Sequence, residues 1–190
     1  MARLVSLHDI LVKWSPRINL IARGELLGVW RRHFADSAQL VGMAGVRSVH
    51  WVDVGAGAGF PGLVVAAMLR DHSERPKVTL IESDQRKAAF LVEAVRAMQV
   101  DVAVLPTRVE TLMSLSADVL SARAVAPLDV LLGYLKKHRS PTGIGLFPKG
   151  EAVHKEIAAA TQKWRFDYRL HPSVTAPEAS IVEVGTIARA

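Results

Sequence analysis

The chain has 190 residues, of which 50% are hydrophobic and 22% charged, and its formal net charge is +6. This length and composition predict one globular domain with a full hydrophobic core. The absence of cysteine excludes disulfides, thiolate metal sites and a cysteine nucleophile, and the 7 histidines are too scattered to predict a metal site. Since no signal peptide or membrane-spanning apolar run is present, we expect a cytoplasmic protein that uses no membrane and no metal. The positive charge favours polyanionic partners.

Residues 1–47 are predicted to form a short, basic helical extension. Pro16 ends the first helix, because proline in a helix interior removes a backbone hydrogen bond. In the second helix, apolar residues recur at helical spacing and predict one buried face: Leu26, Leu27, Trp30, Phe34, Ala38 and Val41. Polar residues lie beside that face: Arg31, Arg32, His33, Asp36 and Ser37.

Residues 48–190 are predicted to form the main part of the domain, in which apolar runs alternate with helical patterns. Strands are predicted at 49–54, 78–82, 100–105, 118–124 and 144–147, and helices at 63–69, 84–98, 127–137 and 151–162. Two further runs, 164–170 and 181–187, are predicted to close the sheet as an antiparallel pair. The alternation predicts an α/β fold with a mostly parallel, seven-stranded sheet and helices on both faces.

The most informative stretch joins the first strand to the next helix and reads Asp53-Val54-Gly55-Ala56-Gly57-Ala58-Gly59-Phe60-Pro61-Gly62. Its glycines permit positive φ and leave no Cβ between the backbone and a ligand. Pro61 suits a first helical position, where its missing N–H costs nothing. The turn therefore presents free amides at the carboxyl end of a strand, where open α/β sheets bind nucleotides.

Two nucleotide ligands fit this turn. Gly57-x-Gly59-x-x-Gly62 satisfies the dinucleotide fingerprint, whereas Asp53-x-Gly-x-Gly-x-Gly resembles motif I of the S-adenosylmethionine-dependent methyltransferases. Phe60-Pro61 crowds the pyrophosphate position, and the Asp53 carboxylate repels a pyrophosphate but suits the ammonium group of a methionine moiety. Glu82, at the end of the second strand, can accept both ribose hydroxyls of either ligand. The turn favours the methyl donor, and a dinucleotide or a turn without ligand remain the alternatives.

Several short stretches follow one another in a specific order: Trp14…Asn19-Leu20, Arg32-His33-x-x-Asp36-Ser37, the glycine turn, Arg108-Val109-Glu110, Ser121-Ala122-Arg123-Ala124 and Lys149-Gly150. From about residue 10 to 150, this series closely resembles the RsmG (GidB) family of bacterial 16S ribosomal RNA guanine-N7 methyltransferases. The resemblance implies a class I (Rossmann-like) methyltransferase fold, S-adenosyl-L-methionine as donor and S-adenosyl-L-homocysteine as product. It also implies an acceptor guanine in the helix 18 loop, with 16S rRNA or the small ribosomal subunit as partner. We expect the protein itself to be a monomer.

The resemblance carries a donor site onto this chain by motif position: Gly55, Phe60, Val109, Glu110 and Arg123. The residues of the turn and of the second strand add Asp53, Gly57 and Glu82. Phe60 can shelter the donor, the segment at Glu110 can flank the adenine, and Arg123 stands where a donor or substrate carboxylate approaches. The alternatives are that Glu110 is a solvated helix cap and that Arg123 pairs with Asp118 or Asp53.

The candidate RNA-binding residues are Arg31, Arg32, His33 and Lys149. A basic side chain can bind phosphate or the O6 of guanine, but an arginine that takes both O6 and N7 blocks the nucleophile. His33 either stacks on a base or fills a helix face. Arg32 and Asp36 either form an i,i+4 salt bridge or belong to an RNA-facing edge that closes over the donor site.

The residues that other methyl acceptors require are missing. Methylation of pyrimidine C5 commonly uses a cysteine, and exocyclic amines typically use an Asn/Asp-Pro-Pro-aromatic box, where this chain has Arg123-Ala124-Val125-Ala126-Pro127. Guanine N7 has a lone pair and no proton, so it requires positioning, here by Arg123, and no general base. A non-catalytic RNA-binding module, a small-molecule methyltransferase and a dehydrogenase remain the rival functions. The chain also has Glu178-Ala179-Ser180 where the family usually carries Arg-His.

Overall fold

The computed structural model describes residues 1–22, 24–45, 50–72 and 76–190. Its strands are β1 (His50–Val54), β2 (Lys77–Ile81), β3 (Val102–Leu105), β4 (Ala117–Ala122), β5 (Arg139–Lys149), β6 (Trp164–Pro172) and β7 (Ser180–Arg189). They form one sheet of order β3-β2-β1-β4-β5-β7-β6. The first five strands are parallel, and β7 lies antiparallel between β5 and β6. The predicted α/β class and the closing antiparallel pair are confirmed.

The helices cover both faces of the sheet. They are α1 (Ala2–Trp14), α2 (Asp36–Ala44), α3 (Gly62–Leu69), α4 (Gln85–Met98), α5 (Leu128–His138) and α6 (Val153–Ala160). Successive residues of a strand point to opposite faces, so Trp51 and Val52 of β1 enter different cores. Trp51 packs in a cluster with residues of the first four helices, whereas Val52 packs in a cluster with α5 and α6. In the described residues, no helix combines the length and the apolar character that crossing a bilayer requires.

The strand β5 is longer than the run predicted at 144–147. Ser140-Pro141-Thr142-Gly143 has the composition of a turn, but Arg139 is paired with Ala117 of β4 and the Ser140 hydroxyl donates to Asp118 at 2.9 Å. A Cβ on Gly143 would clash with the carbonyl oxygen of Ala117, so the close approach depends on glycine. Tertiary pairing therefore extends the strand through a turn-like sequence. The predicted start of β1 at Val49 lies outside the described residues.

The second predicted helix is not a regular α-helix throughout. Glu25–Gly28 form a 3₁₀ turn, Trp30–Ala35 are π-helical, and α-helical geometry begins only at Asp36. These changes of helical pitch rotate the side chains away from the positions that a period of 3.6 predicts. Leu27 is 99% exposed and Trp30 is 39% exposed, so their assignment to the buried face is wrong, whereas Phe34 is buried as predicted.

Candidate functional site

The buried carboxylate of Asp53 holds the glycine turn in place. Its Oδ2 accepts the N–H of Gly62 at 2.9 Å, and its Oδ1 accepts the hydroxyl of Ser121 at 2.7 Å. Burial raises the pKa of Asp53 to about 7, against the opposing effect of these two hydrogen bonds. The side chain is fully buried and both oxygens are bonded inside the protein. This corrects the expected contact between Asp53 and the ammonium group of the donor: Asp53 supports the turn from behind.

Glu82 fixes the other side of the turn. Its Oε2 accepts the N–H of Gly57 at 2.9 Å, and its Oε1 accepts the N–H of Asp84 at 2.8 Å. Gly57 has a φ of +52°, a conformation that glycine adopts without strain. Since each carboxylate oxygen has a further lone pair, Glu82 can still accept hydroxyl groups of a ligand.

A small cleft of about 100 Å³ opens at the carboxyl ends of β1, β2 and β3, beside the segment that follows β4. Its lining includes Gly55, Val109 and Glu110 from the predicted donor site, together with Val125 and Tyr134. A Cβ on Gly55 would clash with the side chain of Val125, so the glycine lets the two segments approach. The Tyr134 hydroxyl donates to Glu110 at 2.6 Å, and this bond lowers the pKa of Glu110. Glu110 is exposed on the short 3₁₀ turn Val109–Thr111, as the solvated alternative predicts, and its side chain is in addition tied to α5.

Arg123 lies where β4 ends, and it is held by the segment 32–36. Its Nη2 donates to Nδ1 of His33 at 2.8 Å, and its Nη1 lies 3.2 Å from the carbonyl oxygen of Arg32 and 3.4 Å from Oδ2 of Asp36. The guanidinium carbon is 5.3 Å from the centroid of the Phe60 ring. Asp36 is thus its ion-pair partner, which excludes both sequence alternatives.

His33 faces the protein interior. Its ring stacks on Phe60 with centroids 5.2 Å apart, and its Nε2 lies 3.2 Å from Oε2 of Glu25. The ring is therefore not turned toward a base in this structure. Arg32 pairs with Glu25 at 3.4 Å, so the i,i+4 salt bridge with Asp36 is not formed.

A larger cavity, of about 840 Å³, adjoins Arg123. One side is basic and contains Arg31, Arg32 and Lys149, and the loop between β6 and β7 forms another side. The ammonium group of Lys149 donates to Glu156 and to the carbonyl oxygen of Ala126, at 2.8 and 2.9 Å, so it is part of the wall. The exposed side chains of Arg31 and Arg32 are the freer cations of this surface.

Several residues of the site were missed by the sequence interpretation: Glu25, Tyr134, Ser173 and Thr175. Ser121 belongs to the motif Ser121-Ala122-Arg123-Ala124, so the sequence does point to it. No local pattern marks Thr175, which reaches Asp36 across 139 positions of sequence. Among the residues that the structure describes, no group of three His, Cys, Asp or Glu side chains is placed to hold a metal ion.

The strand order, together with a glycine turn that faces an acid on the next strand, defines the class I methyltransferase fold. A SAM-dependent methyltransferase from Aquifex aeolicus has this fold, with a TM-score of 0.63, 16% identity, and coverage of 95% of this chain and 97% of that one. M. jannaschii TYW2 in complex with AdoMet has a TM-score of 0.56 at 14% identity, and the match covers 92% and 80% of the two chains.

The sequence comparisons identify the particular family. The GidB family model, described as rRNA small subunit methyltransferase G, matches residues 1–182, so the chain belongs to this family. Ribosomal RNA small subunit methyltransferase G of Cereibacter sphaeroides is 45% identical, over 93% of this chain and 85% of the relative. The protein of the same description from Parvibaculum lavamentivorans is 43% identical, over 96% and 81% of the two chains. The resemblance found in the ordered motifs is thereby confirmed.

Proposed function

We propose that this protein transfers the methyl group of S-adenosyl-L-methionine to N7 of a guanine in the helix 18 loop of 16S rRNA. Membership of the rRNA small subunit methyltransferase G family supports the class of reaction. The observation that carries the proposal is the position of Arg123. It lies over Phe60 of the glycine turn and also lines the large cavity, so it stands where a donor and an RNA acceptor would meet.

The residues around the small cleft fit the methyl donor. Gly55 has no Cβ, which would otherwise clash with the side chain of Val125. The carboxylate of Glu82 has lone pairs that can accept hydrogen bonds from ribose hydroxyls. Val109 and Glu110 line the same cleft and can border the adenine. When bound, S-adenosylmethionine supplies an electrophilic methyl group on a sulfonium, and these residues hold it at the end of the sheet.

Arg123 contributes orientation. Its contacts with His33, Arg32 and Asp36 engage both Nη1 hydrogens and one Nη2 hydrogen, so Nε–H and the second Nη2–H can face a ligand. His33 has both ring nitrogens bonded inside the protein, and it is therefore not offered to the acceptor as a base. Because guanine N7 has no proton to lose, the enzyme only has to hold N7 in line with the methyl group.

The basic side of the cavity suits an RNA backbone. Arg32 is 67% exposed and Arg31 lies beside it on the same rim. Exposed arginines bind phosphates and release counterions from RNA, so the binding constant depends on salt. This surface supports an RNA acceptor over a small molecule, and the cytoplasm, where ribosomes are assembled, is the proposed location.

The direct test is methyl transfer to 16S rRNA and to small subunits, followed by mass mapping of the product. N7-methylguanine in the helix 18 loop is expected. Methylation of another atom, or no methylation of RNA, would contradict the proposal. If NAD raises the melting temperature and S-adenosylhomocysteine does not, the dehydrogenase function is favoured.

The RNA surface has its own test, with a control near the opposite end of the strands. Replacing either Arg31 or Arg32 with alanine should weaken RNA binding and reduce its salt dependence, because a phosphate contact is lost. Arg96 is also exposed, but it lies in the last turn of α4, which runs from the carboxyl end of β2 back to the amino end of β3. Arg96→Ala should leave the salt slope unchanged. If Arg96→Ala changes the salt slope as much as the replacement of Arg31 or Arg32, only the net charge of the protein matters for RNA binding.

A further inference from the structure

The carboxylate of Asp36 joins three parts of the chain. Its Oδ1 accepts hydrogen bonds from the Thr175 hydroxyl at 2.8 Å, from Nε2 of Gln39 at 2.8 Å and from the Ser173 hydroxyl at 3.3 Å. Its Oδ2 lies 3.4 Å from Nη1 of Arg123. The side chain is only 15% exposed, so these contacts are made largely away from solvent. One carboxylate therefore binds α2, the residue after β4 and the loop after β6.

The loop 173–179 connects β6 to β7 and forms one side of the large cavity. It is anchored to the first turn of α2, because Oε1 of Gln39 also accepts the N–H of Val174 at 3.0 Å. Its two ends are closed by a hydrogen bond from the Ser173 N–H to the Ala179 carbonyl oxygen at 3.0 Å. The position of this cavity wall is thus set by Asp36 and Gln39.

We infer that Asp36 is a positioning residue for both reactants of the proposed methyl transfer. Through Oδ2 it orients Arg123 beside the place where the methyl group is transferred. Through Oδ1 it fixes the loop 173–179 as the wall against which the acceptor nucleotide is placed. The inference rests on the proposed function for the identity of the acceptor, whereas the effect through Arg123 does not depend on which acceptor is used.

The chemistry of the two oxygens allows the two roles to be separated. Oδ1 accepts only from neutral groups, two hydroxyls and an amide, so the carbonyl oxygen of an asparagine can replace it. Oδ2 faces a guanidinium, and the NH₂ of an asparagine cannot accept from that group. Asp36→Asn therefore keeps the loop contacts and removes the contact with Arg123. Thr175→Val has nearly the same shape. It removes the bond to Oδ1 of Asp36 and the contact with the Ser173 hydroxyl at 3.0 Å, while leaving Arg123 in place.

The experiment compares Asp36→Asn and Thr175→Val in the full-length enzyme, by single-turnover methyl transfer from S-adenosylmethionine to 16S rRNA. Asp36→Asn should lower the rate constant at saturating RNA by about tenfold or more, because a hydrogen bond between charged groups is lost. Thr175→Val should chiefly raise the RNA concentration at half-saturation, by about two- to tenfold, as expected for the loss of neutral hydrogen bonds in the loop. Thr161→Val is the matched control, since that exposed threonine bonds only within α6 and its end.

A second measurement needs no RNA. S-Adenosylhomocysteine affinity by calorimetry should fall in Asp36→Asn and be unchanged in Thr175→Val, because only the first disturbs Arg123. If both variants change the same parameter by the same factor, in step with their melting temperatures, Asp36 is only structural and the inference is overturned. A wild-type affinity and rate in Asp36→Asn would overturn it too. If the wild-type enzyme methylates no RNA, the proposed function fails, while the calorimetric difference still decides the role of Asp36.

Discussion

Nδ1 of His33 lies 2.8 Å from Nη2 of Arg123, and this contact determines the protonation state of the imidazole. A guanidinium can only donate, so Nδ1 is unprotonated and the hydrogen is on Nε2, which faces Glu25 at 3.2 Å. Burial, assisted by the charge of Arg123, lowers the pKa of His33 from its ordinary 6.5. Neutral His33 thus links Glu25 to Arg123 at physiological pH.

Protonation of His33 should release Arg123. The protonated ring would turn an N–H toward a cation, so the methyl-transfer rate should fall in acid. Because the pKa of His33 is lowered, the fall should lie below the ordinary histidine value of about 6.5. Between about pH 7 and 9 the single-turnover rate should be flat, since no general base is required. His33→Asn offers an oxygen to Arg123 without titrating, and its acid limb should be absent. An unchanged acid limb would assign it to another group, and a tenfold rise per pH unit would indicate a base.

The lowered pKa of His33 also makes the stability of the folded protein depend on pH. The pKa of His33 is lowered in the folded protein, so its contribution is present above the unfolded value of about 6.5 and is lost as the pH falls toward the folded value. Asp53 has the opposite sign. Its pKa is raised to about 7, so its contribution is present below about 3.8 and is lost as the pH rises through about 7.

Asp53→Asn tests this assignment. The asparagine can accept from only one of the two donors, Gly62 N–H and the Ser121 hydroxyl, so the variant should lose about 1–3 kcal/mol of unfolding free energy. Urea unfolding at about pH 5 and 8 should show that the wild-type contribution of Asp53 declines with pH and that the variant lacks this decline. Parallel pH profiles of the two proteins would contradict a titrating Asp53.

The sequence predicts most of the fold because the alternation of strands and helices is local information. The sequence-based prediction fails where the structure depends on local backbone geometry or on contacts between residues that are distant in sequence. Leu27 is exposed because the 3₁₀ and π-helical segments around Trp30 break the helical period. Asp53 was expected to face the donor, but its complete burial depends on Ser121 of the neighbouring strand. The sequence suggests Asp118 or Asp53 of the sheet as partner of Arg123, whereas Asp36 reaches it from the N-terminal segment, 87 positions away.

Glu82 is expected to contribute directly to donor binding. Glu82→Ala removes the acceptor for ribose hydroxyls and leaves the N–H of Gly57 without its partner, so donor binding should weaken by about 1–3 kcal/mol. Calorimetry with S-adenosylhomocysteine measures this loss. Glu93→Ala, on the exposed side of α4, is the control, because that carboxylate pairs only with Lys13 at 3.6 Å. An unchanged dissociation constant in Glu82→Ala would remove Glu82 from the donor site.

Tyr134 should tune the donor site through Glu110. Its hydroxyl donates to the Glu110 carboxylate at 2.6 Å, and burial together with this bond raises the pKa of Tyr134 to about 12. Tyr134→Phe keeps the ring in the cleft and frees the carboxylate, so S-adenosylhomocysteine affinity should fall by about 0.5–1.5 kcal/mol. Tyr168→Phe, on the exposed side of β6, should have no effect on calorimetric affinity. If Tyr134→Phe binds as tightly as the wild type, Glu110 does not border the ligand, and the segment from Val109 contributes only through its backbone.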